Sequence, residues 1–240
     1  MRYGLEILRA STEPGGQQAR IHSMMERQVD HLVRLVDDLM EVSRITRGTL
    51  SLQVEPVLLA EVVDSAVEAS RPVIDAGQHS LVLDLPAMPV VVHGDRVRMA
   101  QILGNLLNNA ARYSAPGGSI VLRARVAGDE LTLSVIDSGV GMEQAEIPRL
   151  FEMFSRGEHT RASHQGGLGI GLALARRLAV LHGGSLDAVS DGPGTGSTFS
   201  LVLPLQGTGA SPSFPSDDPD TTRLGLRVLL ADDDADVVSV

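Results

Sequence analysis

Val135-Ile136-Asp137-Ser138-Gly139-Val140-Gly141-Met142 runs an apolar strand into a carboxylate and two closely spaced glycines. A carboxylate at a strand end can accept a hydrogen bond from an exocyclic amine, as on adenine, and the glycines let backbone approach a flat ligand. Towards the N-terminus, Asn105-Leu-Leu-Asn108-Asn109-Ala-Ala-Arg112-Tyr113 falls in a helical pattern predicted over 95–113, with Val97, Ile102, Leu103, Leu106 and Leu107 inward. Asn105 and Asn109 lie four apart and share one face. Their amide oxygens can ligate a hard cation such as Mg²⁺, or the pair can cap a loop. Towards the C-terminus, Gly166-Gly167-Leu168-Gly169-Ile170-Gly171-Leu172 runs into a helix, whose first N–H groups suit phosphate. A dinucleotide-binding G-x-G-x-x-G fails, because Gln144 and Leu172 stand where its last glycine belongs. Gly194-Thr195-Gly196-Ser197-Thr198 suits a ligand loop or an ordinary hairpin loop equally.

The rest of 51–206 reads as alternating helices and mostly antiparallel strands, an α+β two-layer sandwich. Helices are predicted over 58–76, near 145–154 and over 170–181. Strands are predicted over 81–85, 90–93, 119–126, 131–136, 185–189 and 197–203. Residues 17–47 form one long amphipathic helix, with Ile21, Met25, Val29, Leu32, Val36, Leu39 and Val42 every three or four positions. Such a stripe wants a partner helix, as in a bundle. A shorter helix precedes the turn Glu13-Pro14-Gly15-Gly16, so a matched hairpin would need roughly twenty more residues upstream. Residues 207–224 have linker composition. Beyond them Leu226–Leu230 reads as a buried strand running into Asp232-Asp233-Asp234, expected to open a further domain.

Composition narrows the chemistry. The chain carries 20 basic and 30 acidic residues, net charge −10, and every basic residue is arginine. Without lysine, a P-loop NTPase, a eukaryotic-type protein kinase and Schiff-base chemistry are excluded. Without cysteine there are no disulfides, thiolate metal sites or thiol nucleophiles. The acidic balance speaks against nucleic acid as a partner. No apolar run reaches the roughly 18 residues of a membrane span, and no signal peptide is visible, so a soluble cytoplasmic segment without direct membrane contact is expected.

In this order and spacing the four glycine- and amide-bearing segments, with Phe151-Glu-Met-Phe154 between them, resemble the N, G1, F, G2 and G3 boxes of sensor histidine kinases. Their ATP-binding domain has the Bergerat, or GHKL, fold. The resemblance covers about 51–206 and implies ATP and Mg²⁺ as ligands. It implies that Asp137 binds the adenine amine and that Asn109 holds Mg²⁺. Asn105 and Arg112 line the phosphates and Tyr113 packs by the base. Gly167, Gly169 and Gly171 let a lid, residues 155–165, cross the phosphates. Gly139, Gly141, Leu168, Leu172 and Thr198 complete the nucleotide contacts. Asn105 and Asn109 are the catalytic pair.

ATP-hydrolysing relatives of this fold carry a glutamate on that helix to activate water. Asn105 cannot accept a proton, which favours transfer to a protein nucleophile over hydrolysis.

The long helix resembles the second helix of the family's dimerisation and phosphoacceptor hairpin (residues 1–50), implying a homodimer through a four-helix bundle. Residues 225–240 resemble the start of a receiver domain, implying a hybrid kinase and a response regulator or receiver as partner. None of the seven histidines (His22, His31, His79, His93, His159, His164, His182) is followed by glutamate, so the family's His-Glu-x-x-x-Pro acceptor motif is missing. His31 reads as a polar position beside Asp30 and Arg34. Two further readings stay open: an ATP-binding and dimerising module that transfers nothing, and a GHKL serine kinase of another class.

Overall fold

The computed structural model describes residues 24, 25, 29, 32, 33, 36, 39–45, 47, 49–155 and 169–205. The expectations for residues 1–23, His31, most of the lid, Gly167, Leu168, the linker and residues 225–240 lie outside the described residues. From residue 24 onward, the described residues up to 45 are all helical.

Strand β1 (Glu55–Leu58) leads directly into helix α1 (Leu59–Ala76). Strands β2 (Ser80–Asp84) and β3 (Val91–Gly94) precede helix α2 (Arg96–Tyr113). A hairpin of β4 (Ser119–Ala127) and β5 (Glu130–Asp137) follows, then a single 3₁₀ turn, Ile147–Phe151. Helix α3 (Gly171–Leu181) and strands β6 (Ser185–Val189) and β7 (Ser197–Pro204) complete the domain. Five strands form one sheet in the order β2-β4-β5-β7-β6, while β1 and β3 pair in a separate two-stranded sheet. Only β2 and β4 run parallel in the larger sheet. The two-layer α+β architecture is therefore as the pattern implied.

Strand alternation explains the layering. Ile120, Leu122 and Ala124 of β4, Leu131, Leu133 and Val135 of β5, and Phe199, Leu201 and Leu203 of β7 are buried on one face. The helices cover that face. Met99, Ile102, Leu103, Leu106 and Leu107 of α2 are fully buried, each contributing about 1.5–3 kcal/mol by removal from water, whereas Val97, expected inward, is 64% exposed on the first turn. Their spacing leaves Asn105, Asn109 and Arg112 along another edge of the same helix. Asp95 caps α2, its Oδ1 accepting from the N–H groups of Val97 and Arg98 at 3.1 Å each.

Two elements differ from the sequence pattern. The expected helix near 145–154 is only the 3₁₀ turn Ile147–Phe151, a span too short to propagate, and Glu152 after it is extended. Strand β1 was not expected: Pro56 weakens its pattern, and pairing with Val91–Gly94 is what makes it a strand.

Candidate functional site

Asp137 ends β5, where the register sets it between Ile120 of β4 and Ser197 of β7. Its side chain is buried and accepts three hydrogen bonds. Oδ1 accepts from the Gly139 N–H at 2.8 Å and the Ser197 N–H at 3.3 Å, and Oδ2 accepts from the Ser197 hydroxyl at 2.5 Å. A carboxylate offers about four acceptor positions, so one further donor from a ligand can be taken. Thr198, the expected contact, lies one residue on and opposite Ile136. Alternation puts it on the other face of the sheet from Asp137. Ser197 takes the place beside the carboxylate.

The loop after Asp137 is held from two sides. Val140 N–H donates to the Tyr113 carbonyl at 3.0 Å, tying it to the end of α2. Gly194 N–H donates to the Val140 carbonyl at 2.6 Å, tying it to the loop before β7. Ser190 knots the two loops: its hydroxyl accepts from the Met142 N–H at 3.0 Å and donates to the Gly196 carbonyl at 2.7 Å. Gln144 adds a bond from Nε2 to the Ser190 carbonyl at 3.1 Å. Gly196 has φ +78°, and a Cβ there would run into the Asp137 carbonyl. Only glycine fits.

On the other side, α2 meets the start of α3. Asn105 Nδ2 donates to the Gly171 carbonyl at 3.1 Å, which brings together two residues expected on the phosphate side. Asn109 and Arg112 follow at i+4 and i+7 on the same helix face, Asn109 half-buried and Arg112 exposed. Tyr113, 39% exposed, ends the helix above the Asp137 loop. At the start of α3 the first N–H groups have no partner within the helix and carry its positive dipole end, which suits phosphate. Leu172, on the same turn, packs on the core.

Phe154 and Gly169 are fastened to each other: the Phe154 N–H donates to the Gly169 carbonyl at 3.2 Å. Phe154 holds φ +64°, a left-handed conformation unusual for a bulky residue. Gly169 is at φ +72°, and a Cβ there would collide with the Ser155 carbonyl. Beneath, the Arg176 guanidinium sits 4.8 Å over the Phe151 ring, fastening the 3₁₀ turn to α3.

Residues 94–207 match the family described as "Histidine kinase-, DNA gyrase B-, and HSP90-like ATPase". The chain is 34% identical over 207 residues to the circadian input-output histidine kinase CikA of Synechococcus elongatus, covering 85% of this chain and 27% of CikA. It is 36% identical over 188 residues to the sensor histidine kinase MtrB of Mycobacterium bovis, covering 78% of this chain and 32% of MtrB. The solved histidine kinase AdeS of Acinetobacter baumannii superposes with a TM-score of 0.64 at 25% identity, over 85% of this chain and 93% of AdeS. Residues 94–207 are a histidine-kinase-type GHKL ATP-binding domain. The chain spans about a third or less of the length of CikA and MtrB.

Within this ATP-binding domain, the donor set around Asn109 can be weighed for Mg²⁺. Among the described residues no three His, Cys, Asp or Glu side chains gather to hold a metal. An amide oxygen supplemented by ligand phosphates and water suits Mg²⁺, which keeps several waters and is often held through substrate phosphates. Also among the described residues, no helix is long and apolar enough to cross a membrane.

The sequence reading missed Ser190, Gln144 and Ser197. Ser190 lies 48 residues from Met142, so no local spacing reveals the knot. The alternation of β7, with Phe199, Leu201 and Leu203 inward, does point to Ser197 over Thr198.

Proposed function

We propose that this chain is the ATP-binding catalytic core of a hybrid sensor histidine kinase, a protein-histidine kinase that passes the ATP γ-phosphoryl group to a protein histidine. Asp137 carries the reading. It is a buried carboxylate with acceptor capacity left after Gly139 and Ser197, beside two loops that Ser190 ties together. An exocyclic amine fits that position and a second carboxylate or carbonyl does not.

In this reading the base lies between Asp137 and Tyr113, and Asn109 holds Mg²⁺. Mg²⁺ bound there would offset the charge of the phosphates. Asn105 and Arg112 orient the phosphates, Gly169 and Gly171 lie closest to them at the start of α3, and Gly167 and Leu168 belong to the same segment. Gly139, Gly141 and Leu172 shape the walls. Asn105 lacks the basicity to activate water, so the geometry favours transfer to a nucleophile that is itself brought in line. The exposed apolar stripe Leu32, Val36, Leu39 and Met40 supports a homodimer through a helical bundle. A response regulator or receiver domain is the proposed downstream partner.

None of the histidines precedes a glutamate, and this observation keeps a second reading: a module that binds ATP without transferring it. Isothermal titration with a non-hydrolysable ATP analogue, with and without Mg²⁺, tests the site. Binding strengthened by Mg²⁺ and lost in Asp137→Asn supports it, and a folded chain that does not bind refutes it. Labelled ATP incubated with a separate phosphoacceptor helix carrying an H box then separates kinase from module.

A further inference from the structure

The helical residues 39–45 present two faces. Leu39 and Met40 are exposed, whereas Val42 and Ile45 are buried against the core of the domain. Beside them lies Glu41, a carboxylate whose side chain is only 10% exposed. It forms an ion pair with Arg98. Gln101 completes a ring, its Nε2 donating to Glu41 at 2.5 Å while Arg98 donates to Gln101 Oε1 at 3.0 Å. Arg98 and Gln101 are i and i+3 on α2, so one face of its first two turns is committed to a single carboxylate. The same end of α2 is tied again by the Gln53 N–H, which donates to Asp95 Oδ2 at 3.1 Å.

We propose that Glu41, Arg98 and Gln101 form a clamp that fixes the angle between the N-terminal helix and the ATP-binding domain, with Glu41 as a positioning residue for the chemistry carried by α2. Stability alone does not account for a charge here. A buried ion pair contributes little net stability compared with apolar residues of the same volume, and Val42 and Ile45 already supply an apolar contact. An ion pair does discriminate between arrangements, because it is satisfied only when the two elements meet in one register. α2 is a rigid rod, and Asn105 and Asn109 lie roughly 10 and 16 Å along it from Arg98. A swing of the N-terminal helix is therefore felt at both asparagines. Any coupling works both ways, so a ligand at those asparagines biases the clamp equally. The clamp itself stands on the contacts above; its bearing on phosphoryl transfer rests on the proposed function.

The chain contains no cysteine, so spin labels can be placed cleanly on the full chain at Arg44→Cys and Asp129→Cys, both exposed. Labelled chain diluted with unlabelled chain, measured without nucleotide, is expected to give one narrow distance distribution. In Arg98→Glu two carboxylates face each other, and a displaced population should rise roughly tenfold. That variant should keep the ATP-binding domain folded, since a glutamate in the first turn suits the helix dipole. Arg98→Ala serves as a second disruption, with thermal melting checking that each domain remains intact. The exchanged pair Glu41→Arg with Arg98→Glu should restore the narrow distribution, which loss of side-chain volume or packing at either position would not allow. An unchanged distribution in both Arg98 variants overturns the clamp. So does a broadened one that the exchange fails to narrow. A non-hydrolysable ATP analogue with Mg²⁺ is then added: failure to bind would sink the nucleotide reading and leave the clamp standing.

Discussion

The two ends of the candidate site are built differently. Around Asp137, the loop 138–142, the loop 190–196 and the end of α2 are joined by a dense set of hydrogen bonds centred on Ser190. Along α2 and the start of α3, the bond from Asn105 to the Gly171 carbonyl joins the two helices. Asn109 and Arg112 are only partly covered on the same face. Under the proposed reading, the first end is ordered before a flat group arrives and so binds it at little ordering cost. Under the same reading, the second presents side chains and first-turn N–H groups of α3, which have no partner within the helix, to a charged ligand.

If that contrast is right, damage at the base end should be severe and should reach stability. The largest effect is expected from Gly196→Ala, which forces a Cβ into the Asp137 carbonyl at a left-handed φ. A loss of about 3 kcal/mol in unfolding free energy should be read by denaturant titration. Next comes Asp137→Asn: the loop keeps an acceptor for the Gly139 N–H, while nucleotide affinity should fall by a factor of about 50, from loss of a charged hydrogen bond. Titration calorimetry measures it, and a fall below threefold would place the recognition elsewhere.

Asn105→Ala should sharpen the comparison from the other end. Removing one partly buried bond to a carbonyl is expected to cost about 1 kcal/mol of stability at most. Its main effect should be on Mg²⁺-dependent binding of the triphosphate, with the diphosphate less affected. Equal loss for both ligands would mean that α2 and the base end are not separable.

The smallest effect is a slope with pH. His182 closes α3 with Nδ1 on the Leu178 carbonyl at 2.7 Å, and its Nε2 accepts from the Asp95 N–H at 3.1 Å. A backbone N–H can only donate, so the ring is neutral with its proton on Nδ1. Burial lowers its pKa from the ordinary value, against the opposing pull of the Leu178 carbonyl and Asp95. The unfolded chain takes up this proton near pH 6.5 and the folded chain only at lower pH, so its contribution to stability is present above about 6.5 and lost as pH falls below it. Melting temperatures between pH 7.5 and 5 should fall, and His182→Gln should flatten that part of the curve.

Much of this was legible from local pattern. α2 is announced by its apolar spacing and by Asp95 at its start, and β5 by alternation running into Asp137. The glycines at Gly169 and Gly196 were legible because a left-handed backbone demands them locally. The rest depends on partners far away in the chain. β1 exists because β3 pairs with it, Ser190 matters because two loops converge on its hydroxyl, and Glu41 is buried because α2 lies 60 residues on.

The bond between Phe154 and Gly169 has a consequence for how such a protein can diverge. Where the feet of a connection are fastened to each other, its length is nearly free: doubling it costs only about 0.6 kcal/mol of closure entropy. Insertions, deletions and new side chains between those two residues can accumulate without altering the register of the sheet or the seat of Asp137. Sequence between those two residues is thereby the stretch most open to change, while the loops knotted through Ser190 are the part least able to drift.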